Sequence, residues 1–299
     1  MPAGSTAVGV PRLAVVTGAT SGLGREIARR LAGVGYRVVV VGRGEERAAR
    51  VAAELAERTG PGAVDSVGVT DLARPSDVRA LAAKLLARYP AIHLLVNNAG
   101  AVFFRRQVTE EGLERTFALN VLAPYLLTTL LADRLKASAP SRVVNVSSAA
   151  HYRQAVDFSD LQSERHYRGF RVYSESKLEL LLLTREFARR FAGTDVTVNA
   201  VHPGFVATGF GQNNGGGSGF AIRVLSAVFG KSVKRGAETP VLVATDPSLA
   251  RVTGEYFSNG HRSRGDPMSW DMAAAARLAV ACAEMPGSAP LPRMSRENG

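Results

Sequence analysis

Leu13-Ala14-Val15-Val16-Thr17 is an apolar run of strand length that ends in glycines at positions 18, 22 and 24. Glycine lets a chain turn sharply out of a strand and bring its backbone against another group. The segment after Gly22 then carries helical spacing through Ile27, Leu31 and Val34 and stops at Gly33 and Gly35. Strand, glycine turn and helix in this order form an anion-binding corner. The first N–H groups of a helix lack partners within it, and its dipole end is positive. The spacing is G-x-x-x-G-x-G rather than G-x-G-x-x-G, and taken alone it could be a plain strand–helix connection. In its strand–turn–helix context, Gly18, Thr20, Ser21, Gly22, Leu23 and Gly24 read as the pyrophosphate turn of a dinucleotide site.

The same alternation continues along the chain. Apolar runs predict strands over 37–41, 64–69, 92–96, 142–146 and 196–201, and helical spacing predicts helices over about 45–58, 77–89, 117–135 and 173–191. Near-continuous apolar strands separated by helices imply a parallel sheet covered on both faces. Right-handed crossovers then leave an α/β doubly wound sheet, the Rossmann arrangement. Beyond Gly204 the pattern loosens into a Gly/Asn run at 211–219, helical signals at 221–229 and 237–245, a short strand at Tyr256-Phe257 and a last helix near 270–285. One domain over 12–285 is expected, with a substrate lid at about 205–235, a disordered N-terminal extension over 1–11 and a disordered tail over 286–299.

Composition excludes several classes. A length of 299 residues supports a full core, and the single cysteine, Cys282, rules out a disulfide framework or a multi-cysteine metal site. No apolar run reaches the ~18–20 residues of a membrane span, and the first dozen residues lack the apolar core of a secretory signal, so a cytoplasmic protein is expected. The formal charge of +11 is scattered among acids and alanines, so no nucleic-acid partner is expected. His151, His166, His202 and His261 have no metal-like spacing, and no metal site is expected.

Four further places carry chemistry. The second strand ends in Val41-Gly42-Arg43-Gly44, where a carboxylate would normally accept from the adenosine ribose. Arg43 instead suits a 2′-phosphate by bidentate pairing, which points to NADP(H). Glu45 and Glu46 fit the first turn of the next helix. Asp71-Leu72 follows the third strand and Asn97-Asn98-Ala99-Gly100 ends the fourth, both at the sheet edge where doubly wound folds bind ligands. Tyr173-Ser174-Glu175-Ser176-Lys177 places a phenol and an ammonium on one helical face. A neighbouring cation favours phenolate and lowers a value that is otherwise near ~10. Ser147-Ser148 closes the fifth strand.

Taken together, the T-G-x-x-x-G-x-G turn, Asp71, N-N-A-G, Asn120, Ser148, Y-x-x-x-K and Pro203-Gly204 resemble the short-chain dehydrogenase/reductase family over roughly residues 12–260. The stretches 142–151, Asp160-Leu161-Gln162 and Val201-His202-Pro203-Gly204 resemble its retinol dehydrogenase-type branch more narrowly. The resemblance implies that Tyr173 is the catalytic acid or base and that Lys177 lowers its pKa and holds the nicotinamide ribose. It makes Ser148, rather than Ser147, the partner of the substrate oxygen. Asn120 would hold a water in a proton relay through Lys177. Gly18, Ser21, Leu23 and Gly24 match the pyrophosphate turn, Asp71 the adenine contact and Asn98, Ala99 and Gly100 the adenosine side. Pro203, Gly204, Val206 and Thr208 match the segment that meets the nicotinamide carboxamide.

The function expected is NADP(H)-dependent interconversion of a ketone or aldehyde and an alcohol on a lipophilic substrate, with Phe220, Ile222, Val224, Leu225, Val228 and Phe229 in the lid. Two alternatives stay open: a redox-neutral epimerase, dehydratase or cyclase-like step, and a cofactor-sensing protein without turnover. Leu180 to Leu183 cover almost the whole circumference of their helix, and the helix from Phe117 is similar. A homodimer is expected to cover the outer faces, with the C-terminal segment of the same chain as the competing cover.

Overall fold

The structure is a computed structural model that describes residues 11–60, 62–204 and 232–290. Its eight strands are β1 Leu13–Thr17, β2 Arg37–Arg43, β3 Val64–Val69, β4 Leu94–Asn97, β5 Ser141–Val146, β6 Val196–His202, β7 Tyr256–Ser258 and β8 His261–Ser263. They lie in the order β3-β2-β1-β4-β5-β6-β7-β8, all parallel except the antiparallel β7–β8 pair. Reversal of the strand order on either side of β1 creates the crevice where such sheets bind ligands. The fold class read from the sequence is the one observed.

The continuous apolar runs have a direct cause. Alternate residues of each strand enter opposite cores: Val15, Val39, Leu95 and Val143 on one face, Val16, Val38, Leu94 and Val144 on the other. The second face is covered by α1 (Gly22–Gly33), α2 (Glu45–Thr59) and, near the C-terminus, α9 (Glu238–Thr245). The first face is covered by α3 (Pro75–Arg88), α5 (Ala123–Leu130), α7 (Gly169–Arg190) and α10 (Met272–Glu284). With both faces dry, each strand valine contributes ~1.5–3 kcal/mol by burial, and an ionised side chain there would have no solvent side.

The expected helix over 117–135 is broken. A short α4 (Arg115–Phe117) runs into a π-turn, Ala118–Leu122, then α5, and after Leu131 a separate α6 (Ala132–Ala137). Pro124 has no N–H to close the ordinary bond to the Asn120 carbonyl. The turn loosens instead, and Ala123 donates to Ala118 five residues back. Strand β8 is also new relative to the sequence reading. Asn259 and Gly260 join it to β7 with positive φ at both positions, the signature of a two-residue hairpin turn.

Two expectations concern the covering surfaces. The tail expected from 286 begins as packed chain: Arg79 donates to the Gly287 carbonyl at 2.6 Å, and Tyr125 donates to the carbonyl of the buried Ala289 at 2.9 Å. The leucines of α7 are buried within the chain, since α10 brings Ala275, Leu278, Ala279 and Cys282 onto that side. The competing cover, the C-terminal segment of the same chain, is the one that lies on this face.

The Gly/Asn run, Val206, Thr208 and the apolar lid helix lie outside the described residues. The end of the range assigned to the lid, α8 (Val233–Gly236), packs on α1, where Arg30 donates to the Lys234 carbonyl at 2.7 Å. Among the described residues no helix is long and apolar enough to cross a membrane, and no three His, Cys, Asp or Glu side chains gather as metal ligands.

Candidate active site

The glycine turn and the end of β4 are built as one unit. Asn98 donates its Nδ2 to the Thr17 carbonyl at 2.8 Å, and the Thr17 hydroxyl accepts the backbone N–H groups of Asn98 and Ala99 at 3.0 and 3.1 Å. Gly18 and Gly22 have φ values of +65° and +51°, the left-handed region that glycine occupies without strain. A Cβ on Gly24 would stand 2.4 Å from both the Gly18 carbonyl and the Asn98 amide, so only glycine lets α1 start this close to the sheet. Thr20 faces β2: a Cβ on Gly42 would stand 2.0 Å from its methyl group. Ser21 is exposed and Leu23 half-buried at the start of α1. This cradle fits a pyrophosphate, because a glycine turn leads into a helix N-terminus whose first N–H groups lack partners within the helix.

At the end of β2, Arg43 is exposed and pairs with no other described side chain. Glu45 is held: its carboxylate accepts the Gly68 N–H at 3.0 Å, closing α2 onto β3. Asp71 accepts from Ala73 N–H at 3.0 Å and from Arg115 at 2.7 Å, with Leu72 buried beside it. Arg115, 44 residues away in sequence, was not among the residues the sequence pointed to, and nothing in local spacing signals it.

Gly100 joins the cofactor side to the groups with acid–base chemistry. A Cβ there would lie 3.1 Å from the Asn120 side-chain oxygen and 3.3 Å from the Lys177 ammonium nitrogen. Asn120 is fully buried on the π-turn, accepts the Ala101 N–H at 3.0 Å, donates to the Ala101 carbonyl at 2.9 Å and donates to Ser176 at 3.0 Å. Ser176 in turn donates its hydroxyl to the Tyr173 carbonyl at 2.6 Å. It is a second residue the sequence reading left out, although it lies inside the Tyr173–Lys177 motif.

The two serines divide their work. Ser147 is buried and donates to the Lys177 carbonyl at 3.0 Å, which anchors β5 to α7. Ser148 is half-buried, and its hydroxyl interacts with the Tyr173 phenol and draws its pKa down. Lys177 donates its Nζ to the Val146 carbonyl at 3.1 Å and stands 5.6 Å from the centre of the Tyr173 ring. Asn120, Ser148, Tyr173 and Lys177 are thus one connected cluster, at the C-terminal end of the sheet.

The electrostatics differ from the sequence expectation in one respect. Burial pushes the Tyr173 phenol up to about 12, and the opposing pull comes from the Ser148 hydrogen bond rather than from Lys177. Burial likewise brings Lys177 down to about 8. The ammonium turns to the Val146 carbonyl, and it is not among the groups that lower the phenol. Pro203 and Gly204 follow β6 on the same edge, Gly204 with φ +85°, and His202 accepts the Ala149 N–H at 3.2 Å.

Comparison with known proteins agrees with this geometry. The family described as short chain dehydrogenase matches residues 12–217. Human retinol dehydrogenase 13 is 36% identical over 291 residues, covering 93% of this chain and 88% of that protein. A Mycobacterium paratuberculosis protein of known crystal structure superposes with a TM-score of 0.75 at 28% identity, covering 97% of this chain and all of the other. A short chain dehydrogenase from Burkholderia cenocepacia in complex with NADP superposes with a TM-score of 0.63 at 26% identity, covering 83% and 95%. A tyrosine, serine, lysine and asparagine drawn together beside a glycine cradle, on a sheet of this order, meet relatives that span nearly the whole chain. The chain belongs to the short-chain dehydrogenase/reductase family of NAD(P)-dependent alcohol and carbonyl oxidoreductases, in its retinol dehydrogenase-type branch.

Proposed function

We propose that this protein interconverts a ketone or aldehyde and the corresponding alcohol on a lipophilic substrate, using NADP(H), with Tyr173 as proton donor and acceptor. The observation that carries the reading is the cluster at the C-terminal end of the sheet, where Ser148 interacts with the Tyr173 phenol, Lys177 stands 5.6 Å from the centre of the Tyr173 ring and Asn120 is linked to Tyr173 through Ser176. Bound nicotinamide supplies or takes up the hydride. In reduction Ser148 orients the substrate oxygen, and Tyr173, protonated at neutral pH, gives its proton to the alkoxide that develops there. Proton transfer from a placed acid is worth roughly 10²–10⁴ in rate. Asn120, fixed on both sides by Ala101, keeps the floor of the site rigid beside Lys177.

Arg43 supports NADP(H) over NAD(H). Its guanidinium stands exposed at the end of β2, and the nearest acid in sequence, Glu45, is occupied by Gly68. A lipophilic substrate is supported by the relatives named as retinol dehydrogenases and by aromatic groups near the site. Phe170 is 62% exposed with its ring 6.2 Å from that of Tyr173, and Tyr152 is 42% exposed four residues beyond Ser148.

The test is incubation with NADPH or NADH and a panel of apolar ketones and aldehydes. Oxidation of NADPH in step with alcohol formation is expected. Product without net consumption of cofactor would favour the redox-neutral alternative, and binding without turnover the sensor.

A further inference from the structure

We propose that His151 is a positioning residue for Ser148, a neutral imidazole clamped between the Ser148 carbonyl and the backbone of Asp266, and that this clamp makes the loop 265–270 a working part of the active site. The inference rests on the reading of Ser148 as the partner of the substrate oxygen.

His151 is fully buried. Its Nδ1 lies 2.6 Å from the Ser148 carbonyl oxygen, and its Nε2 accepts the backbone N–H of Asp266 at 3.1 Å. A carbonyl only accepts and an amide N–H only donates, so the two contacts fix one protonation form: hydrogen on Nδ1, lone pair on Nε2. The opposite tautomer would set acceptor against acceptor and donor against donor. A charged ring would keep the Ser148 bond but set Nε2–H against the Asp266 N–H.

The surroundings hold the ring in this role. Tyr152 lies tilted against it at 4.2 Å between ring centres and Tyr256 meets it edge-on at 4.9 Å. Gly265, with φ +68°, lets the loop approach, since a Cβ there would stand 3.2 Å from Nε2. The charged groups that face the imidazole are Asp266, which favours its protonation, and Arg185, which opposes it; burial is the largest influence and keeps the ring neutral. Asp266 is itself fixed, accepting from Arg153 N–H at 2.7 Å and Met268 N–H at 2.9 Å. Arg185, on the helix that carries Tyr173 and Lys177, donates to the Ser269 carbonyl and lies 3.8 Å from the centre of the Trp270 ring. The loop is thus tied to α7 at one end and to Ser148 at the other. Without the imidazole, the Ser148 carbonyl keeps only the His151 N–H at 3.3 Å, while the Ala150 N–H to the Ser148 hydroxyl at 3.2 Å and the Ala149 N–H to His202 at 3.2 Å hold the rest of the turn.

The test uses full-length His151→Phe and His151→Gln. Phenylalanine keeps the ring and removes both hydrogen bonds. Glutamine offers one donor and one acceptor about as far apart as the imidazole nitrogens and does not titrate. The expected result is a tenfold or greater fall in kcat for His151→Phe with NADPH affinity within twofold of the wild type. His151→Gln is expected to recover most of kcat and to lose the fall in rate on the acid side of the pH profile. A His151→Phe kcat within twofold of the wild type, or a His151→Gln as impaired as His151→Phe, would overturn the proposal. Nitrogen-15 ring shifts of the wild type at pH 7, with His151 assigned by its absence from His151→Gln, give a readout independent of turnover. A protonated Nδ1 with a lone pair on Nε2 is expected, and the opposite tautomer or a charged ring would overturn the clamp. A wild type that turns over no carbonyl would remove the functional reading, and the tautomer would still decide the clamp.

Discussion

Lys177 reaches from α7 to the end of β5 and donates its ammonium to the Val146 carbonyl at 3.1 Å. That carbonyl stands where a carboxylate would be needed to offset the burial of a full charge, and burial alone brings Lys177 down to about 8. The folded state therefore binds fewer protons than the unfolded chain between about pH 8 and the ordinary lysine value of 10.5. Stability rises with pH across that window, and the buried charge is a cost below it. Lys177→Met is expected to be more stable than the wild type at pH 7, on the order of 1–3 kcal/mol, with the gain shrinking toward pH 10 and turnover lost. Urea unfolding at the two pH values checks it; a variant less stable at pH 7 would contradict the account.

Glu179, two residues further along α7, titrates the other way. Burial pushes its carboxyl up to about 8, with Glu175 and Glu114 adding to the rise. A raised carboxyl contributes stability that is complete below its unfolded value and lost as pH rises through the folded one. Glu179→Gln should match the wild type near pH 4.5 and exceed it at pH 9 by a few kcal/mol, roughly the free energy of a shift of this size. Thermal unfolding across that range is the measurement, and a constant difference between the two proteins would count against a titrating Glu179.

Arg43→Asp should exchange a phosphate partner for a group that repels phosphate and accepts from ribose hydroxyls. The ratio of kcat/KM for NADPH over NADH is expected to fall by an amount worth ~1–3 kcal/mol, the value of a hydrogen bond to a charged group. An unchanged ratio would mean that Arg43 does not touch the 2′-phosphate.

Cover by α10, together with the Tyr125–Ala289 hydrogen bond, buries the apolar faces of α5 and α7 within the chain. Light scattering at micromolar concentration should give a mass near 31.7 kDa. A dimeric mass would place the interface elsewhere or require α10 to move.

The sheet was legible because a parallel strand dry on both faces is apolar at every position, as Val38 to Val41 are. The site was legible where a motif sits at the C-terminal end of a strand or on one helical face, as with Asn98, Ser148 and Tyr173–Lys177. Strand β8 is polar and only three residues long, and its signal was the Asn259-Gly260 turn rather than any periodicity. Cover by α10, the Arg115–Asp71 pair and the His151 clamp all join segments more than 40 residues apart, which local spacing does not encode. Lys177 could be placed beside Tyr173 from sequence, but burial, which raises the phenol and lowers the ammonium, appears only when the chain is folded.

The central claim is that Tyr173 gives and takes the proton. Tyr173→Phe removes one hydroxyl from a buried ring and leaves the glycine cradle and Arg43 in place. Single-turnover reduction with NADPH should then slow by at least ~10²-fold, the lower end of what a placed general acid contributes, while NADPH binding stays within twofold of the wild type. A Tyr173→Phe variant that binds NADPH normally and reduces the carbonyl at near wild-type rate would contradict the account.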